Sequence, residues 1–168
     1  MSCRTESLEK IQVVALRLLT VRDYAAAELA EKLRGKHYSH QLVDQVIQQL
    51  LSRNYLNDVR FATRVLHTRI KRGYAPALIQ RMLENRGITR TCIDEALGQI
   101  DVPPESVLIR ELCKQRRFLP PKPDLTRPQK KQHLARLYRF LIRRGFSRPA
   151  IYEFIDGYKD QADDTACH

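Results

Sequence analysis

Arg60, Arg64 and Lys71 fall at spacings of four and seven, which places them on one face of a helix, and Arg136, Arg139 and Arg143 do the same further along the chain. Stripes of guanidinium and ammonium groups make or break no bonds of their own. They hold polyanions, either a phosphate backbone or an acidic protein groove. Around the first stripe, residues 60–90 contain eight Lys and Arg (Arg60, Arg64, Arg69, Lys71, Arg72, Arg81, Arg86 and Arg90) against the single acid Glu84. Around the second, residues 110–148 contain thirteen against Glu111 and Asp124. A charge run is ordinarily a solvated helix face, but the scarcity of opposite charge here favours a binding surface. The candidates are Arg60, Arg64, Arg69, Lys71, Arg72, Arg81, Arg86, Arg136, Arg139, Arg143 and Arg144. Phosphate contacts from such residues add affinity without sequence choice.

Other chemistry finds little support. The chain has no P-loop, no G-x-S-x-G, no H-E-x-x-H and no glycine-rich dinucleotide turn, and it has no tryptophan. His37 and His40 have ligand-like spacing, yet they straddle a turn and a helix start with no Cys or carboxylate pair beside them, so no metal site is expected. The four cysteines, Cys3, Cys92, Cys113 and Cys167, lack C-x-x-C spacing and are expected to be free thiols, with Cys92 and Cys113 as small buried hydrophobes. No cofactor, catalytic residue or enzymatic activity is expected. Tyr24, Tyr74 and Phe146 are capable of stacking on bases, but their recurrence at matching positions before a helix favours packing.

The elements that must carry these side chains are helices throughout. Apolar residues recur at helical spacing, as in Leu8, Ile11, Ala15 and Leu18, in Leu42, Val43, Val46, Ile47 and Leu50, and in Leu134, Leu137, Tyr138 and Leu141. Alternating strand patterns are absent, so the fold is predicted to be all-α. Ser39, Thr89 and Ser147 stand where N-caps belong, Gly35, Gly73, Gly87 and Gly145 fall in turns, and Pro103 and Pro104 separate two helices. The stretch from Leu119 to Pro128 holds four prolines and reads as a stiff loop.

Internal repetition organises these helices. Arg22-Asp23-Tyr24-Ala25 aligns with Arg72-Gly73-Tyr74-Ala75 at an offset of fifty residues, and the register continues through Leu29 on Ile79, Leu33 on Leu83, Val43 on Ile93 and Asp44 on Asp94. Arg144-Gly145-Phe146-Ser147 marks a third, diverged copy. Three-helix repeats over residues 1–57, 58–102 and 103–168 are expected, the last holding the Pro-rich loop and a C-terminal tail. Units this small have marginal cores alone, so tandem copies should stack into an elongated, curved array.

Bulk properties agree with a folded, basic protein. The 168 residues carry a net charge of +11 with 43% hydrophobic content. No run approaches the ~18 uncharged apolar residues of a spanning helix, and residues 1–10 lack an apolar signal core, so a cytoplasmic location without membrane contact is expected.

Specific segments carry a family resemblance. Asn54-Tyr55-Leu56-Asn57-Asp58-Val59-Arg60-Phe61-Ala62 resembles the Gly-Tyr-Leu-Asp-Asp-x-Arg-Phe-Ala signature of the RecX family, and Arg69-Ile70-Lys71-Arg72-Gly73-Tyr74 is similar to its Arg-x-x-Lys-Gly-Tyr/Phe-Gly segment. Asn85-Arg86-Gly87-Ile88 and the C-terminal Phe140-Leu141-Ile142-Arg143-Arg144-Gly145-Phe146-Ser147 match further family segments, so the likeness runs from about Ala15 to Ile155. Asn54 replaces a glycine but tolerates a left-handed turn, and Asn57 replaces an aspartate while keeping an N-cap oxygen. Ala25 stands where the family often has serine, which predicts a helix missing its cap at a cost of about 1 kcal/mol.

The resemblance implies a negative regulator that binds the groove of the RecA recombinase filament and inhibits ATP hydrolysis, strand exchange and coprotease activity, with weak contact to single- or double-stranded DNA. A monomer is expected, since no sustained heptad occurs. The rival reading is a general nucleic-acid-binding helical protein with no recombinase partner.

Overall fold

The computed structural model describes residues 7–118 and 125–164, with side chains through residue 157. Cys3, Cys167 and most of the Pro-rich loop, Leu119 to Asp124, lie outside the described residues. Among the described residues the chain forms nine α-helices and no strand: α1 (Leu8–Val21), α2 (Ala26–Arg34), α3 (His40–Ser52), α4 (Asp58–Lys71), α5 (Pro76–Glu84), α6 (Arg90–Gly98), α7 (Glu105–Gln115), α8 (Arg127–Arg143) and α9 (Arg148–Asp164). The fold is all-α and built from helical repeats.

Two compact units divide the chain differently from the sequence repeats. One contains the described residues up to Val65 with Arg81–Ile100, and the other contains Leu66–Gln80 with the described residues from Asp101 onward. The first repeat, α1 to α3, therefore falls whole within one unit, while α4 and α5 each contribute residues to both.

In the first unit the helical spacing seen in the sequence becomes the core. Ile11 and Ala15 of α1, Leu29, Ala30 and Leu33 of α2, and Val43, Val46, Ile47 and Leu50 of α3 are buried together with Tyr24 and Leu56. Each large aliphatic side chain removed from water stabilises the unit by about 1.5–3 kcal/mol. Ser7 accepts the Lys10 N–H to start α1, and Thr89 accepts the Cys92 N–H at 3.4 Å to start α6. The fifty-residue register extends to backbone geometry: His37 and Gly87 both turn left-handed, at φ 64° and 79°.

Ala25 gives α2 no side-chain cap, as the sequence predicts, but the start of the helix still finds an acceptor. The Ala26 N–H donates to the Asp58 carboxylate at 2.9 Å, so the acceptor comes from the first residue of α4. Ala25 itself is fully buried, and a hydroxyl there would enter the core.

In the second unit Ile109, Leu112 and Cys113 of α7, Leu137 and Leu141 of α8, and Ile151 and Ile155 of α9 close on Ala75 and Phe146. Gln129 accepts the Thr126 N–H at 2.8 Å and Pro128 occupies the first turn, which together define the start of α8. Ser147 accepts the Ala150 N–H to cap α9, and its own N–H and hydroxyl both donate to Glu105 at 3.0 and 2.6 Å. The third copy of the Arg-Gly-aromatic motif lies between the second and third helices after Pro104, whereas its second copy separates α4 from α5, the first two helices of their repeat.

Candidate polyanion-binding surface

The start of α4 fixes the first basic stripe. Asn54 adopts φ 58°, as its tolerance of the left-handed region predicts, and the Asn57 side chain accepts the Arg60 N–H at 2.8 Å as the N-cap. Beneath, Phe61, Ala62 and Leu66 are buried, so helical geometry forces Arg60, Arg64 and Lys71 outward, and all three are exposed. His67, also exposed, shares this face at spacings of three and four from Arg64 and Lys71. The spacing that places His67 on this face is legible in the sequence. Arg60 additionally donates to the Asn54 carbonyl at 3.2 Å, and Arg64 pairs with Asp23.

The remaining candidates sort by environment. Arg72, Arg81, Arg136, Arg139 and Arg143 are exposed, with Arg139 donating to the Ala135 carbonyl one turn back at 3.2 Å. Arg69, Arg86 and Arg144 are half-buried. Arg69 lies over the Tyr74 ring at 5.4 Å and Arg86 over Phe61 at 5.7 Å. Arg144 is held most firmly, over Tyr74 at 4.5 Å and Phe140 at 5.2 Å, while donating to the Arg72 carbonyl at 2.6 Å. Ring contacts hold these three in place.

Charge compensation is sparse where the sequence suggested it would be. Of the eleven candidates, Arg64 is the one in an ion pair among the described residues, and that pair is exposed enough to contribute only about 0–1 kcal/mol. Helix α8 carries six Lys and Arg and no carboxylate. Arg90, by contrast, bridges Glu84 and Asp94, and its guanidinium pKa is raised, chiefly by the hydrogen bond to Glu84. Such a surface attracts phosphate or carboxylate without strong internal competition.

Two aromatic positions expected to pack do so: Tyr24 and Phe146 are 6% and 3% exposed, and Tyr74 is half-buried under two guanidinium groups. Cys113 is buried and its thiol is pushed up to about 11 by burial, while Cys92 is only half-buried. Among the described residues no cluster of three His, Cys, Asp or Glu is placed to hold a metal ion, and no helix is long and apolar enough to cross a membrane.

Tandem three-helix domains with exposed basic faces define the class as an all-α helical-repeat protein. Residues 13–50 match the family model described as RecX, first three-helix domain, and residues 57–97 match RecX, second three-helix domain. The chain is 31% identical over 157 residues to Regulatory protein RecX of Pseudomonas putida, covering 94% of this chain and 96% of that protein. It is 33% identical to Regulatory protein RecX of Cronobacter sakazakii, covering 79% and 82% of the two chains. A crystal structure of RecX from Lactobacillus salivarius superposes with a TM-score of 0.68 at 18% identity, covering 90% of this chain and 96% of that one. A second RecX crystal structure gives the same TM-score at 20% identity, over 89% and 71%. The chain belongs to the RecX family of regulatory proteins.

Proposed function

We propose that this chain is a negative regulator of the RecA recombinase, binding in the groove of the RecA–DNA filament and restraining ATP hydrolysis, strand exchange and coprotease activity. The observation that carries this reading is the pair of exposed, weakly compensated basic faces on α4 and α8 within a RecX-family fold. These faces offer cations to acidic recombinase surface, to DNA phosphate, or to both, and the protein acts by occupancy. Bridging adjacent recombinase subunits hinders their rearrangement, and filling the groove excludes incoming duplex or a cleavable substrate. The chain works as a monomer in the cytoplasm, its contact with bare single- or double-stranded DNA is weak, and no catalytic group is required.

The exposed residues Arg60, Arg64, Lys71, Arg72, Arg81, Arg136, Arg139 and Arg143 are the principal contacts in this reading. The test is binding to single-stranded DNA with and without preassembled RecA filament at physiological salt, with ATP hydrolysis followed in the same samples. Filament-dependent binding with falling hydrolysis is expected. Equal binding to bare DNA with unchanged hydrolysis would instead identify a general nucleic-acid-binding helical protein.

A further inference from the structure

An open cleft between α8 and α9 joins an aromatic pair to a cationic rim. The rings of Tyr138 and Tyr152 lie 5.6 Å apart at an interplanar angle of 38°, and with Leu134 and Ile155 they line a mainly apolar depression. Lys131 and Arg139 border the same cleft from α8. The repeated motif aromatics Tyr24 and Phe146 are buried, but Tyr152 is 55% exposed, so its ring is largely available to solvent. An exposed tyrosine beside a second ring, in a cleft that two cations also line, matches the requirements of an unpaired nucleotide. The ring faces take the base and the cations take the flanking phosphates.

We propose that the α8–α9 cleft is a seat for one base of single-stranded nucleic acid, with Tyr152 as the stacking platform and Lys131 and Arg139 as phosphate contacts. Charge complementarity selects this occupant. Helix α8 has no carboxylate to repel a phosphate chain, whereas Glu153 and Asp156 are exposed on α9. The strand therefore follows α8, while the base enters toward Tyr152. An acidic peptide would satisfy the cations but leave the paired rings without a planar partner. The proposal deepens the filament reading by assigning the DNA component a specific contact, and it rests on that reading only for its biological setting.

The test compares two oligonucleotides of about 15 nucleotides with equal phosphates, oligo-dT and its abasic analogue, at low salt where weak binding is measurable. Wild type is expected to prefer oligo-dT, and Tyr152→Ala to lose roughly five-fold or more of that affinity while binding the abasic strand unchanged. Tyr152→Phe is expected to retain the preference because it keeps the ring, and Arg139→Gln is expected to weaken both strands. Since the chain has no tryptophan and seven tyrosines, the part of the tyrosine quenching by oligo-dT that disappears in Tyr152→Phe reports the stacking on Tyr152.

Equal affinity of wild type for the two strands, no binding of either, or an equal loss on both with Tyr152→Ala would overturn the base-stacking seat. Inhibition of filament ATP hydrolysis is read separately on the same variants. Its persistence in Tyr152→Ala after a failed stacking test would leave the regulatory reading standing. Its absence in wild type would count against that reading whatever the oligonucleotides show.

Discussion

The Arg144 side chain donates to the carbonyl of Arg72 at 2.6 Å, joining the first residues of two copies of the Arg-Gly-aromatic motif. The contact is reciprocated along the backbone, where the Ala75 N–H donates to the Arg144 carbonyl at 2.8 Å. Tyr74 lies beneath the same guanidinium, so one charged group satisfies a carbonyl and covers two aromatic faces. A charge-assisted hydrogen bond with cation–π support in a half-buried position is a structural element of the second unit.

Arg144→Ala should therefore destabilise the protein by about 2 kcal/mol, most of it from the lost charge-assisted hydrogen bond. Arg143→Ala, one residue away and exposed, should change stability by no more than ~0.5 kcal/mol. Urea denaturation of the two variants side by side checks this. Equal stability would remove the structural role assigned to Arg144.

Charge reversal at Arg64 and Lys71 should weaken binding to the RecA filament while leaving stability within about 0.5 kcal/mol, as for ordinary surface changes. Reversal at Arg64 also removes its exposed pair with Asp23, worth about 0–1 kcal/mol, and sets like charges together, so the limit of about 0.5 kcal/mol is read on the Lys71 variant. Filament affinity and thermal melting are measured on the same preparation. A loss of stability with unchanged binding would sink the assignment of this face.

Asp58→Ala should cost about 1 kcal/mol, because the N–H of Ala26 at the start of α2 loses its acceptor. Asp58→Asn keeps an oxygen and should cost less. Ala25→Ser should not improve stability, since position 25 is buried and the nearby N–H is already satisfied. Melting temperatures of the three variants discriminate a cap supplied by α4 from an uncapped α2.

Gly73→Ala should destabilise by roughly 1–3 kcal/mol, since Gly73 sits at φ +78° and an added Cβ would run into the Leu112 side chain. Gly157→Ala has open space within α9 and should stabilise by roughly 0.5–1 kcal/mol. Chemical denaturation midpoints of opposite sign are the expected result.

Alkylation at pH 8 should modify Cys113 far more slowly than Cys92. The raised value of about 11 leaves roughly one Cys113 thiol in a thousand ionised at that pH, and burial also blocks the reagent. Peptide mapping after timed iodoacetamide treatment reads the rates, with urea-unfolded protein as the reference in which the difference disappears. Comparable native rates would contradict the burial of Cys113.

Much of the fold was legible because it follows local rules. The apolar spacing of Val43, Val46, Ile47 and Leu50 puts all four on one face of any helix they form, and all four are buried. Asn54 and Asn57 kept the left-handed turn and the cap oxygen that their chemistry allows. The outward direction of Arg60, Arg64 and Lys71 followed from the apolar face of the same helix.

What the sequence by itself determined was thus the helices, their repetition and the basic faces, since these depend on backbone periodicity within a few residues. Tertiary structure alone decided that Asp58 caps a helix 32 residues earlier, and that Arg144 turns inward to Arg72 while neighbouring Arg143 stays in water. It also decided that Tyr138 and Tyr152 meet across two helices. Charge and spacing are identical in type for Arg143 and Arg144. Which one acquires a carbonyl partner and an aromatic ring depends on where a chain segment some seventy residues distant comes to rest, and that position is set by the packing of the whole core.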